Sequence, residues 1–223
     1  EDLYGWKANF IAMGAFGAVL AALVVTSLDE TLPAARRQSG RPAAILANYR
    51  RLIVDRRFLK YLAIASAAFC GLFAFISGSS FVLQREFGLS PVVYGLCFGV
   101  MAGGYVAGSL AGARLVKRLG IDGALRFGGF CAALGGLLML TAHSVAPSAL
   151  SIVMPIVIFG FAVGLSMPQA MAGALTPFPE MAGTASSLLG FLQSIAGALA
   201  GIYVGLGVDQ GAMPMVGTIA AMG

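Results

Sequence analysis

Six stretches of this chain are each long enough and apolar enough to cross a lipid bilayer: 8–28, 61–83, 92–113, 123–142, 149–175 and 185–208. They run 21, 23, 22, 20, 27 and 24 residues, against the roughly 20 a helix needs to span a hydrocarbon core of about 30 Å. The only charge within them is Arg126, near the start of the fourth. Lipid offers no partner to a free backbone N–H or C=O, so a spanning segment must be a helix or part of a closed barrel. None of the six alternates apolar and polar residues with period two, which predicts helices. A seventh apolar stretch, 212–223, has twelve residues and would rise only about 18 Å. It is read as the start of a further span, and the chain as a piece of a longer protein.

Composition closes off the alternatives. Charged residues make up 10% of the 223, where a soluble domain carries about 25%. There is too little polar surface for a soluble domain, a nucleic-acid-binding module or a disordered tail. The three cysteines, Cys70, Cys97 and Cys131, all fall inside apolar runs and read as small packing residues rather than a disulfide framework.

The connections between spans alternate in charge. Arg36, Arg37, Arg41, Arg50, Arg51, Arg56, Arg57, Lys60, Arg114, Lys117 and Arg118, with Arg126 at the junction just inside the fourth span, fall on one set, and only Lys7 and Arg85 on the other. The positive-inside rule puts the first set in the cytoplasm. Most connections run three to nine residues, but 29–60 has 32, and it marks a domain boundary. Within it Ile45, Tyr49, Leu52 and Ile53 recur at helical spacing among arginines, which predicts an amphipathic helix on the cytoplasmic leaflet.

Glycine is ordered along the spans. The third carries two stripes, Gly95, Gly99, Gly103 and Gly104, Gly108, Gly112, and the sixth carries Gly197, Gly201, Gly205. Small residues one turn apart let helix backbones approach closely in lipid. The fifth span holds Pro155 and Pro168. Each lacks a donor and is expected to bend the helix, and Pro168, flanked by Met167 and Gln169, is the one placed to break it beside a cavity.

Chemistry within the spans is sparse. There is one histidine, His143, read as an idle residue of an external loop, and no HExxH, Cys/His cluster, GxSxG or phosphate-binding glycine loop. No nucleophile–base pair can be assembled, so an enzyme is not expected, nor a cofactor or metal. What remains is a wall of aromatic, Met, Ser and amide side chains suited to bulky, mostly apolar compounds. Phe73, Ser77, Tyr105, Met167 and Gln193 are its candidates, with Gln193 and Ser77 supplying hydrogen bonds. A transporter fits this best. A channel would need a continuous polar path, which the spans lack, and a non-transporting membrane subunit would have less use for internal amides and prolines.

Several runs carry a family resemblance. Tyr4-Gly5-Trp6-Lys7-Ala8-Asn9-Phe10 through Glu30-Thr31-Leu32-Pro33 resembles the sixth helix of major facilitator drug antiporters. Ile45-Leu46-Ala47-Asn48-Tyr49-Arg50-Arg51-Leu52 through Asp55-Arg56-Arg57-Phe58 is similar to the central loop of their bicyclomycin/chloramphenicol-resistance (Bcr/CflA) branch. Phe75-Ile76-Ser77-Gly78-Ser79-Ser80-Phe81-Val82-Leu83-Gln84 resembles that branch's seventh helix. Pro177-Phe178-Pro179-Glu180 with Gly183-Thr184-Ala185-Ser186-Ser187-Leu188-Leu189-Gly190-Phe191-Leu192-Gln193 resembles its junction between helices ten and eleven.

The resemblance implies an all-α polytopic membrane protein of the major facilitator fold. Residues 1–28 would hold the last helix of the N-terminal half, 29–60 the central cytoplasmic loop, and 61–223 the C-terminal half, with helix twelve beginning at 212. It implies a monomer in the bacterial inner membrane. Such a protein exports drugs or small metabolites in exchange for protons, with two halves rocking around a central cavity. The carboxylate that handles protons would lie upstream of Glu1. One motif departs from the family. Gly108 and Arg114, Lys117 and Arg118 keep the glycine and basic positions of the cytoplasmic loop signature, but Gly112 stands where its acid would be.

Overall fold

The computed structural model describes residues 5–27 and 42–223, which fall in two compact units, Glu1–Ser39 and Gly40–Gly223. The first unit holds α1 (Gly5–Ser27). Its apolar side chains, Phe10, Phe16, Leu23 and Val25 among them, are exposed all round the helix, which is the surface a lipid-facing helix presents. The sequence on either side, including Glu30-Thr31-Leu32-Pro33 and Arg36, Arg37 and Arg41, lies outside the described residues.

The second unit contains α2 (Pro42–Val54), α3 (Arg56–Ser80) with a π-helical extension (Phe81–Glu86), α4 (Pro91–Val145), α5 (Ala149–Leu175), α6 (Ala182–Leu206) and α7 (Met213–Met222). Local chemistry sets the helix starts. Asp55 accepts from the N–H groups of Arg57 and Phe58, both at 2.9 Å, and caps α3. Ser90 followed by Pro91 opens α4, and Ser148 and Ser151 form a reciprocal capping box at α5.

The third and fourth expected spans are one helix, α4, interrupted at a single residue. Gly120 has φ 70° and ψ 176°, a conformation open to glycine and strained for other residues. The expected nine-residue connection shrinks to this point because Leu115, Val116, Leu119 and Ile121 keep the helical pattern going on both sides. The chain nevertheless reverses there. Gly104, Gly108 and Gly112 of the first arm meet Val157, Phe161 and Leu165, so that arm runs parallel to α5. Gly128 and Gly135 of the second arm meet Ser166 and Phe159, so that arm runs antiparallel to it. By the same reading α3 is antiparallel to α5 (Gly71 on Phe159, Gly173 on Tyr61) and parallel to α6 (Gly197 on Phe69 and Phe73, Gly201 on Ser77). Successive segments therefore alternate in direction, as a chain threading a bilayer must. Among the described residues five helices are long and apolar enough to cross a membrane, and the main core of Phe75, Leu83, Met139, Ile156, Phe159, Val163 and Met215 joins α3, α4, α5 and α7.

Two further expectations about the helices are corrected. α2 does not offer its whole apolar stripe to lipid: Leu52 is fully buried in a cluster with Phe58, Phe178 and Leu189, and the Tyr49 hydroxyl lies 3.4 Å from that of Ser187. Ile45 and Ile53 remain exposed, so the stripe is divided between the protein and its surroundings. Pro168 does not break α5, which stays helical from Ala149 to Leu175 through both prolines.

Candidate functional site

The five cavity-wall candidates fall into two groups. Phe73, Ser77 and Gln193 lie along the α3–α6 contact. The rings of Phe69 and Phe73 lie with centroids 4.5 Å apart and planes tilted by 34° over Gly197, whose missing side chain makes room for them: a Cβ there would lie 2.6 Å from Phe69. Gln193 is one turn before Gly197 on the same α6 face. It is 6% exposed, and its Oε1 is buried with no hydrogen-bond partner. Ser77, one turn beyond Phe73, faces Gly201 and is exposed. Tyr105 and Met167 form the second group, half-buried on α4 and α5 and packed against the main core. The Tyr105 backbone carbonyl is pressed against Gly164.

The loop-motif remnant divides similarly. Gly108 is buried, and any side chain there would overlap the Phe161 carbonyl. Arg114, Lys117 and Arg118 are exposed at the end of the first arm of α4. Gly112 sits against the Leu165 carbonyl, with Gln169 Nε2 3.3 Å from where its Cβ would be. Gly112, expected from the resemblance to stand in place of an acid, thus faces an amide on α5.

The charged contact at this end was not legible in the motif. Lys60 Nζ and the Tyr61 hydroxyl both donate to Asp122 Oδ1, at 2.8 and 2.9 Å. They tie the start of α3 to the turn of α4 two residues after Gly120. These two donors, Lys60 first, hold the Asp122 carboxyl below the usual carboxylate range. Beneath them lies a cavity of about 440 Å³, with Lys60, Asp122 and Arg126 in its wall and Phe159, Val163 and Ser166 deeper. Arg51 and Glu180 make a second, exposed ion pair at 3.6 Å, joining α2 to the turn before α6.

His143 is not a loop residue. It lies in the last turns of α4, 6% exposed, with Nδ1 3.4 Å from the Ser151 hydroxyl and its ring edge-on to Phe87. Sequence reasoning ended the span at 142 and so put the histidine outside. A further feature the spacing concealed is the π-helix at Phe81–Glu86, shown by the i to i+5 bond from Phe87 N to the Val82 carbonyl at 3.0 Å. Among the described residues no group of three or more His, Cys, Asp or Glu could hold a metal ion.

Comparison with known proteins gives a concordant result. The family model described as Major Facilitator Superfamily matches residues 2–201. An uncharacterized MFS-type transporter of Bacillus subtilis is 27% identical over 94% of this chain and 52% of its own length. The bicyclomycin resistance protein homolog of Haemophilus influenzae is 31% identical over 98% of this chain and 55% of its own. Multidrug resistance protein D of Escherichia coli is 28% identical, with the same two coverages, 98% and 55%. The chain spans about half the length of these curated relatives.

Proposed function

We propose, because this chain belongs to the Major Facilitator Superfamily, that the intact protein is a secondary transporter exporting drugs or small metabolites from the bacterial cytoplasm in exchange for protons. Residues 1–28 would then close its first half, 29–60 link the halves, and 61–223 form most of the second. The arginine-rich connections would face the cytoplasm, the protein would act as a monomer in the inner membrane, and the proton-carrying group would belong to the other half. Relatives named for multidrug and bicyclomycin resistance support this reading. Membership of a transporter family sets aside an enzyme.

The observation that carries the reading is Gln193. A buried acceptor without a donor costs about 1–3 kcal/mol, and in an exporter the N–H or O–H of a bound substrate would supply the missing hydrogen bond. One turn on, over Gly197, Phe69 and Phe73 offer aromatic surface, and no Asp, Glu, Lys or Arg lies in α6. A substrate with an apolar body and an N–H or O–H donor complements this wall.

The test is accumulation of radiolabelled chloramphenicol, bicyclomycin and a panel of aromatic antibiotics in everted inner-membrane vesicles carrying the intact protein. Energised vesicles should load at least one compound, lose it when an uncoupler collapses the proton gradient, and load it several-fold less with Gln193→Ala. Accumulation no greater than in empty vesicles refutes export, and accumulation indifferent to the uncoupler refutes proton coupling. A Gln193→Ala protein that loads every compound as well as wild type removes Gln193 from the site.

A further inference from the structure

A second pocket lies at the opposite end of α3 from Lys60. It has a volume of about 420 Å³ and is lined by Ser77, Ser80, Phe81, Gln84 and Arg85. These positions, i, i+3, i+4, i+7 and i+8, fall on one face of a helix. The π-helix from Phe81 to Glu86 takes more residues per turn than an α-helix, and so swings Arg85 back toward the line of Ser77.

The lining is rich in donors. Gln84 Nε2 gives one N–H to Ser80 Oγ at 2.8 Å and keeps its second. Ser80, accepting that bond, retains its own hydroxyl hydrogen. Ser77 adds another hydroxyl. The Arg85 guanidinium carbon lies 5.6 Å from the centroid of the Phe81 ring, and the side chain, exposed, makes no ion pair among the described residues. The neighbouring Glu86 carboxylate lies beside Gly211 and is not in the lining. A cation with three neutral donors and no carboxylate is the complement of an oxyanion.

We infer that this pocket binds the oxyanion end of a substrate, a carboxylate or group of similar charge and shape, while the aromatic body extends along α3 toward Phe73 and Phe69. The inference deepens the exporter reading and rests on it for the source of the ligand. A phospholipid headgroup carries the same chemistry, so the test separates the two.

The probes are dansylglycine, which carries a carboxylate, and dansylglycinamide, which is neutral and of nearly the same shape. Their binding to the intact protein in lipid-free detergent is read by dansyl fluorescence. Wild type should bind the carboxylate about three- to fivefold more tightly, the scale of one charge-assisted contact open to water. Arg85→Gln should abolish that preference by weakening the carboxylate alone, and Arg85→Lys should restore part of it. Equal affinity for the two probes in wild type, or a preference that survives Arg85→Gln, overturns the inference. So does an Arg85→Gln protein that loses only its retention of phosphatidylglycerol, since the pocket then serves lipid. The two readings fail separately. A protein that transports yet lacks the preference refutes the oxyanion pocket alone, and one that keeps the preference yet moves nothing refutes export alone.

Discussion

One methyl group added at Gly108 should force α4 and α5 apart, whereas the same methyl at Gly103 should not. A Cβ at Gly108 would overlap the Phe161 carbonyl oxygen and lie 2.7 and 2.9 Å from its C and Cα atoms. Carbon atoms rest about 3.5–4.0 Å apart, so the two helices must separate by roughly an ångström. The obstacle is backbone and cannot rotate away. Separation also loosens the Gly104, Gly160 and Gly164 approaches, which belong to the same seam. Overpacking costs about 1–3 kcal/mol, and the shared seam puts Gly108→Ala toward the upper end. Nothing lies within 4 Å of a Cβ at Gly103, and there Gly→Ala gains about 0.5–1 kcal/mol of helix stability. The two variants should therefore differ by about 2–4 kcal/mol. The assay is unfolding of the purified chain in dodecyl maltoside by added SDS, followed by far-ultraviolet circular dichroism. Gly108→Ala should unfold at lower SDS than wild type, and Gly103→Ala at the same or higher. Identical midpoints, or the reverse order, would show that the seam has been misplaced.

Three further outcomes are expected. Gln193→Leu removes an orphaned buried acceptor and should raise stability by about 1–3 kcal/mol while weakening substrate binding; thermal unfolding in detergent checks the first, and a loss of stability would mean that Oε1 is satisfied. Leu52→Ala empties a fully buried site and should cost about 2–5 kcal/mol, releasing α2 to proteolysis between Arg50 and Arg57, whereas Leu46→Ala, at an exposed position, should leave the cleavage pattern unchanged. Asp122 has a lowered carboxyl pKa in the folded chain, so its hold on Lys60 and Tyr61 is complete above the ordinary carboxylate range and is lost as pH falls through the lowered value. Spin labels at 57 and 118 should show a narrow distance distribution at pH 7 that broadens in acid, and a broad one at both pH values in Asp122→Asn.

The fold was legible where lipid dictates it. Long apolar runs and the charge asymmetry need no tertiary information, and α5 begins and ends at the residues the pattern gives, Ala149 and Leu175. Legibility ended where one pattern admits two outcomes. The stripes Gly95-Gly99-Gly103 and Gly104-Gly108-Gly112 have the same spacing, yet only the second is packed against backbone, the first having open space at every position. Gly120 resembles any other glycine until its φ is known. The tie between Lys60 and Asp122 joins residues 62 apart, which no local motif encodes. Within the candidate site the residue types were readable, and Gln193 stood out as an amide in an apolar helix. Its missing partner, and the division of the five candidates between the α3–α6 and α4–α5 contacts, depend on which faces meet.

The most direct test of this account is the sidedness of α3 and α4 in the cell. Single cysteines at Arg85 and Lys117, in an intact protein with Cys70, Cys97 and Cys131 replaced by alanine, would be exposed to a membrane-impermeant maleimide in whole cells and then in everted vesicles. The position-85 cysteine should react in cells and the position-117 cysteine only in vesicles. Labelling of the position-117 cysteine in intact cells, or of both from the same side, would contradict the alternating membrane path on which the exporter reading stands.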